Sequence, residues 1–223
     1  MYKTLYNNPT ERERITYSWT YWDNAFTTEE LKKMCDYFSN QGVERGVTVK
    51  GQETDANTGI TKIVQSPDEE VRVSNVKFYD YDVKNEDTSW IFNRLNFVIE
   101  SLNNQFYNFN LNGYDSFQYT EYDDYEQGRY DFHMDTITGI NKPYNMFGTR
   151  KLSLTLLLNE PGVDFEGGDF YFNEGQEKEA KAVEGMHAGR IICFPSFMIH
   201  RVAPVTKGTR KSVVVWALGP KFI

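Results

Sequence analysis

The chain is poor in several residue types that mark common protein classes, and each shortage excludes something. Its two cysteines, Cys35 and Cys193, lie far apart in no metal-binding or redox spacing. That excludes a disulfide framework and suits a reducing compartment. Cys193 falls in the apolar run Ile191-Ile192-Cys193-Phe194 and reads as a small buried hydrophobe. Cations are outnumbered, with 24 Lys and Arg against 32 Asp and Glu, for a net charge of −8. Phosphate neutralisation needs clustered Lys and Arg, so this balance argues against a nucleic-acid partner. No stretch approaches the ~20 apolar residues of a membrane span, and the polar start, Met1 to Tyr17, lacks the apolar core of a leader. A cytoplasmic protein with no membrane partner is expected, its oligomeric state illegible. Only three histidines are present, His133, His187 and His200.

What is there is mostly aromatic and aliphatic. Hydrophobic residues make up 39% and aromatics 16%, chiefly Tyr and Phe, enough for one core and biased toward strands. A single domain over 1–223 is expected, with helical support over about 1–110 and a β core over about 114–223. Thr27-Thr28-Glu29-Glu30 is a capping box, and Leu31, Met34, Cys35 and Phe38 follow at helical spacing until Gly42. A second helix is predicted from about Ser89 to Phe106, on the stripe Ile91, Leu95, Val98, Ile99, Leu102 and Phe106. The polar stretch from Lys50 to Glu70 reads as a long loop or lid. Past residue 114 the period shortens to that of strands: Phe117–Tyr122, Tyr130–Asp135, Lys151–Leu158, Asp169–Phe172, Arg190–Phe194 and Lys211–Leu218. Two helices followed by many short strands predict a sandwich or barrel with helices packed outside.

Within Tyr130-Asp131-Phe132-His133-Met134-Asp135, the strand period of two puts His133 and Asp135 on one face. A third ligand from a distant strand would complete a two-His, one-carboxylate facial triad, the donor set of non-haem Fe(II) oxygenases. His200, after the apolar strand end Phe194 to Ile199, is the leading third ligand, and His187, in a Gly-flanked turn, is its rival. A half-buried histidine bonded to a nearby carboxylate has the same local sequence. Arg210 opens an apolar strand and shares a face with Ser212. Pointing inward it would need an anion, for which a ligand carboxylate gripped in a bidentate pair is suited. Pointing outward it is an ordinary strand-start arginine.

Taken in order, these segments resemble the prolyl 4-hydroxylase-like, Fe(II)- and 2-oxoglutarate-dependent oxygenases, and most closely the bacterial and phage-encoded PKHD-type hydroxylases. The resemblance runs from about Arg72 to Phe222. It is carried by Arg72-Val73-Ser74, Gln118 to Tyr122, Tyr130 to Asp135, Arg150 to Thr155, Glu166-Gly167-Gly168-Asp169, Phe194-Pro195-Ser196 and His200 to Arg210. It implies a mainly β fold, a double-stranded β-helix jelly-roll of cupin-like barrel form with flanking N-terminal helices. It also implies iron on His133, Asp135 and His200, 2-oxoglutarate as co-substrate with its distal carboxylate on Arg210, O₂, and ascorbate as supporting reductant. Tyr122 matches the tyrosine that hydrogen-bonds the co-substrate. The segment between it and His133 runs about two residues longer than usual, so Tyr125 is its alternate, and Ser212 is a further candidate. A carboxylate at Asp135 favours hydroxylation over halogenation, since related halogenases leave that position open for chloride.

The substrate implied by the resemblance is a prolyl residue in a peptide or protein. Loops at Lys50 to Glu70 and Thr136 to Arg150, with Tyr144 and Phe147, are candidate covers for it. The same chemistry on a small molecule or free amino acid is the alternative, and a non-catalytic cupin-like metal-binding module is a further one. Nucleobase-repair relatives carry a second arginine six residues past the first, where this chain has Trp216.

Overall fold

A computed structural model describes residues 17–220, except 56, 57, 59, 60, 115, 137–147 and 174–181. The first half contributes β1 (Thr20–Trp22), α1 (Thr28–Ser39), β2 (Glu44–Arg45), β3 (Thr48–Thr54), β4 (Thr61–Ser66), β5 (Arg72–Val73), β6 (Asn75–Asp80) and α2 (Ser89–Leu102). Then come β7 (Ser116–Asp123), β8 (Arg129–His133), β9 (Thr149–Leu157), β10 (Phe165–Gly167) and β11 (Phe170–Asn173). The chain closes with β12 (Ile191–Pro195), β13 (Ile199–Val202) and the long β14 (Val205–Gly219).

The helices start and stop where their chemistry dictates. At Thr27 the side chain accepts from the Glu30 N–H, and Glu30 returns the bond to the Thr27 N–H. Two orphan amides at the start of α1 are thereby satisfied, which stabilises it by about 1 kcal/mol. The stripe of α2 is buried from Ile91 to Leu102. Its last turn widens into a π turn, Asn103–Tyr107, which ends at the left-handed Asn108.

The larger sheet runs β1-β12-β9-β14-β7-β6-β2, with β10 paired to β14, and the smaller runs β11-β13-β8-β5. Alternation along β14 decides what faces what. Val213, Val215 and Ala217 pack with Phe38, Ile91 and Leu95 under the helices. Arg210, Ser212, Val214 and Trp216 turn the other way, into a cavity that His133 and His200 of the smaller sheet also line. Phe170, Phe172, Phe194, Val202 and Val205 fill the space between the sheets. The fold is a jelly-roll whose two sheets face each other without closing into one barrel.

Two expectations change. Residues 48–54 and 61–66 pair as the ribbon β3–β4 instead of a loop; with Val49, Ile63 and Val64 as their only apolar residues, the two segments carry no hydrophobic alternation to read. The N-terminal half also supplies strands to both sheets, with β5 pairing β8 and β6 pairing β7. Tyr144 and Phe147 lie outside the described residues.

The edge strand β1 is held onto β12 by a charged clasp. Arg190 donates from Nε and Nη2 to the two Asp23 oxygens, each at 2.8 Å, and stacks over the Tyr21 ring at 4.3 Å. The arginine hydrogen bond holds the Asp23 carboxyl below its usual range. With the folded pKa below the unfolded one, the clasp contributes fully above an ordinary Asp pKa of ~3.9 and is lost as pH falls through the depressed value. Asp23→Asn should therefore lower the melting temperature at neutral pH, and the gap from wild type should close in acid. A gap that persists unchanged at low pH would refute the clasp's contribution.

Candidate active site

The register of the smaller sheet places His133 directly opposite His200, with ring centroids 4.2 Å apart. Each imidazole commits its Nδ1 to a backbone carbonyl: His133 to Asp131 at 2.7 Å and His200 to Met198 at 2.9 Å. Those bonds need Nδ1 protonated, which leaves both Nε2 lone pairs for a ligand. Burial, reinforced by neighbouring His200, holds the His133 pKa down to about 3, so its ring is neutral.

Asp135 joins them from beyond the strand end. β8 stops at His133, so the carboxylate is delivered by the following bend and not by pleat alternation, as the sequence period suggests. The backbone N–H groups of Asp135 and Thr136 both donate to the Ser196 carbonyl at 2.9 Å. Asp135 Oδ1 then lies 3.7 Å from His133 Nε2, and Oδ2 lies 3.6 Å from His200 Nε2. Burial opposes charge on this carboxyl, but the two imidazoles, Arg150 and Ser153 outweigh it and hold its pKa below the usual range. One donor atom from each of the three residues falls within 4.8 Å of the others. Two imidazole nitrogens and one carboxylate, converging with their outer atoms already bonded, fit a divalent first-row metal of the Fe(II) type.

Ser153 of β9 donates to Asp135 Oδ2 at 2.6 Å, and its hydroxyl lies 2.9 Å from that of Ser196. Both serines are fully buried. Ser153→Ala should weaken metal binding by ~10–100-fold, the usual cost of losing an outer-shell partner. Titrating Mn(II) into the apoprotein reads this directly, and an unchanged affinity would mean Asp135 needs no such support.

Arg210 is 1% exposed. Nη1 donates to Ser212 Oγ at 3.2 Å, and the guanidinium lies 5.6 Å from the centroid of Tyr122, its cross-strand partner. Among the described residues no carboxylate comes within ion-pair distance of it. A guanidinium this deep is costly without an anion, and a bound carboxylate offsets that cost. Tyr122 is buried beside it, and burial raises its phenol pKa, so the hydroxyl stays a neutral donor. Tyr125 is excluded as its alternate: it sits on a single 3₁₀ turn, Asp124–Glu126, and is 86% exposed. His187 is excluded from the cluster as well, since its Nε2 lies 3.2 Å from Asp23 of the β1 clasp.

The cavity linking these groups has a volume of about 400 Å³. Residues not assigned roles from the sequence line it. Tyr130 stacks face to face on His133, with ring centroids 3.4 Å apart. Arg72, 7% exposed, caps the Tyr130 ring at 4.7 Å and donates to Ser74 Oγ. Three positions apart on a strand, Tyr130 and His133 should face opposite ways. A register shift opposite His200 to Val202 inserts an extra residue in β8 and turns both to the same side. Sequence alternation cannot reveal that. Arg150 stacks over Trp216 at 3.9 Å, in the same cavity.

Fold and site together define a jelly-roll with a two-His, one-carboxylate facial cluster and an inward-facing arginine beside it. Residues 117–218 match the model of the 2OG-Fe(II) oxygenase superfamily. A PKHD-type hydroxylase of Picosynechococcus is 46% identical over 65 residues, 29% of this chain and 28% of that protein. One from Herminiimonas arsenicoxydans is 36% identical over 94 residues, 41% of this chain and 40% of that one. The matched stretch thus spans well under half the length of these relatives. In fold, the chain is similar to a Pseudomonas putida prolyl-4-hydroxylase, with TM-score 0.66 and 16% identity, over 92% of this chain and 95% of that one. It is also similar to a Trichoplax adhaerens prolyl hydroxylase solved with a hypoxia inducible factor peptide fragment, with TM-score 0.62 and 16% identity, over 91% and 84% of the two chains.

Proposed function

We propose that this chain is an Fe(II)- and 2-oxoglutarate-dependent dioxygenase that hydroxylates a prolyl residue in a peptide or protein. The observation that carries the reading is the placement of His133, Asp135, His200 and Arg210 on the wall of one cavity. His133, Asp135 and His200 would hold the metal, with Asp135 supplying its one anionic protein ligand. When bound, the metal supplies O₂ activation coupled to decarboxylation of 2-oxoglutarate to succinate and CO₂.

The protein's own work is orientation and dryness. Arg210 grips the distal carboxylate of the co-substrate, Ser212 steadies the guanidinium through Nη1, and the Tyr122 hydroxyl donates a further hydrogen bond. Val76, Val202, Val214 and Phe170 line the cavity with apolar surface, which strengthens the charged contacts inside it. The ribbon β3–β4 sets Thr48 and Gln65 on the same cavity, where a peptide would enter. The relatives named as hydroxylases and the neighbours named as prolyl hydroxylases support the choice of a prolyl substrate in a peptide. The two unpaired cysteines suit a cytoplasmic setting.

The test is succinate release with Fe(II), 2-oxoglutarate and ascorbate, alongside mass spectrometry of proteome-derived peptides exposed to the enzyme. A gain of one oxygen on proline is expected. Oxygen on a free amino acid or small metabolite instead would overturn the peptide substrate and keep the iron chemistry; no succinate at all would overturn both.

A further inference from the structure

The turn between β10 and β11 holds two glycines in left-handed conformations, Gly167 at φ 74° and Gly168 at φ 66°. Their surroundings differ. A Cβ on Gly167 would meet backbone, the Pro204 carbonyl oxygen at 2.5 Å. A Cβ on Gly168 would meet the Arg210 side chain, at 2.8 Å from Cδ, with Val205 Cγ2 at 3.0 Å and Phe165 Cε2 at 3.4 Å. Cδ is the middle of that side chain and cannot swing aside freely. The Arg210 guanidinium is tied to Ser212, and Val205 and Phe165 are buried around it.

Gly168 also stands on a particular side of the arginine. Arg210 borders the metal-site cavity and a second cavity of about 300 Å³, whereas Gly168 lines only the second. A side chain at 168 would therefore push Arg210 toward the metal cluster.

We propose that Gly168 is a positioning residue that sets how far the Arg210 guanidinium stands from the metal cluster, and thereby selects the length of the 2-oxo diacid. This rests on the co-substrate role proposed for Arg210. With a bare α-carbon at 168, the arginine lies back far enough for a five-carbon diacid to span from metal to guanidinium. A methyl there shortens the span, which disfavours 2-oxoglutarate and suits a four-carbon diacid such as oxaloacetate better. A bidentate carboxylate contact is sensitive to displacements well under 1 Å, so the effect should be on the order of tenfold or more.

The experiment is calorimetric titration of 2-oxoglutarate and of oxaloacetate into the Mn(II)-loaded full chain, for wild type, Gly168→Ala and Gly167→Ala. Gly168→Ala should bind Mn(II) as wild type does and narrow the five- over four-carbon preference at least about tenfold. In turnover, KM for 2-oxoglutarate should rise more than kcat falls. Gly167→Ala suffers the left-handed backbone strain and a clash with the Pro204 carbonyl without touching Arg210, and should keep the wild-type preference; circular dichroism confirms that it folds. Gly168→Asn tolerates positive φ better than Ala and carries the same Cβ, so it should reproduce the narrowing even if the alanine variant folds poorly. An equal narrowing in Gly167→Ala, or an unchanged preference in a folded Gly168 variant, would overturn the proposal. If wild type binds no 2-oxoglutarate, the functional reading fails with it; if wild type binds it and only the preference stands still, this inference alone fails.

Discussion

Asp135→Ala should abolish succinate formation from 2-oxoglutarate and reduce metal affinity beyond the ~10–100-fold typical of outer-shell losses. The carboxylate is the cluster's only anion, and burial alone would disfavour its charge. The Arg150 charge and the Ser153 hydrogen bond help hold its pKa below the usual carboxylate range. Without it, two imidazoles remain to hold a dication, with no protein anion to balance its charge. Mn(II) titration of the variant, with circular dichroism to confirm the fold, separates this loss from unfolding. The variant should melt close to wild type in the absence of metal, because Ser153 and Ser196 can still bond each other. Retention of metal-dependent 2-oxoglutarate turnover would remove Asp135 from the site.

Arg210→Ala should act on the co-substrate and leave the metal in place. Losing a buried charged contact to a carboxylate costs about 2–5 kcal/mol, or roughly 30- to 5,000-fold in affinity. The loss should appear mainly as a raised KM for 2-oxoglutarate, with kcat at saturation falling less. Arg210→Lys should recover only part of it, since an ammonium is a point charge without the planar fork that grips both carboxylate oxygens. The Ser212 bond shows why the fork matters: one edge of the guanidinium is already held by Nη1, so its remaining edge has a fixed direction. If Arg210→Ala leaves the 2-oxoglutarate KM unchanged while Asp135→Ala is dead, the co-substrate's carboxylate is gripped elsewhere. Arg72, the other deeply buried arginine on that cavity, is the next residue to vary.

Much of this site is legible in the sequence, for identifiable reasons. With only three histidines in the chain, a two-histidine ligand set had few possible members. Period-two alternation in β14 correctly aligned Arg210 with Ser212 and set both against the valines that pack under the helices. Alternation suggested the right partners for His133 and Asp135 but the wrong cause. The strand ends before Asp135, and a bend pinned to Ser196 makes the approach. Tyr125 was a reasonable alternate while the chain between Tyr122 and His133 was only a count of residues. The 3₁₀ turn Asp124–Glu126 carries Tyr125 into solvent.

The sequence by itself determined the two helices, the strands that follow residue 114, and which side chains were able to make an iron site. Those features depend on neighbours in the chain: a capping residue three positions from its partner, or an apolar stripe at one repeat. Tertiary structure alone decided that Tyr130 stacks on His133, that Ser153 orients Asp135, and that Gly168 lies against Arg210. Each of those contacts joins segments through strand register, a bulge or a left-handed turn. Such geometry follows from how whole sheets pair and face each other, so no local pattern of residues encodes it.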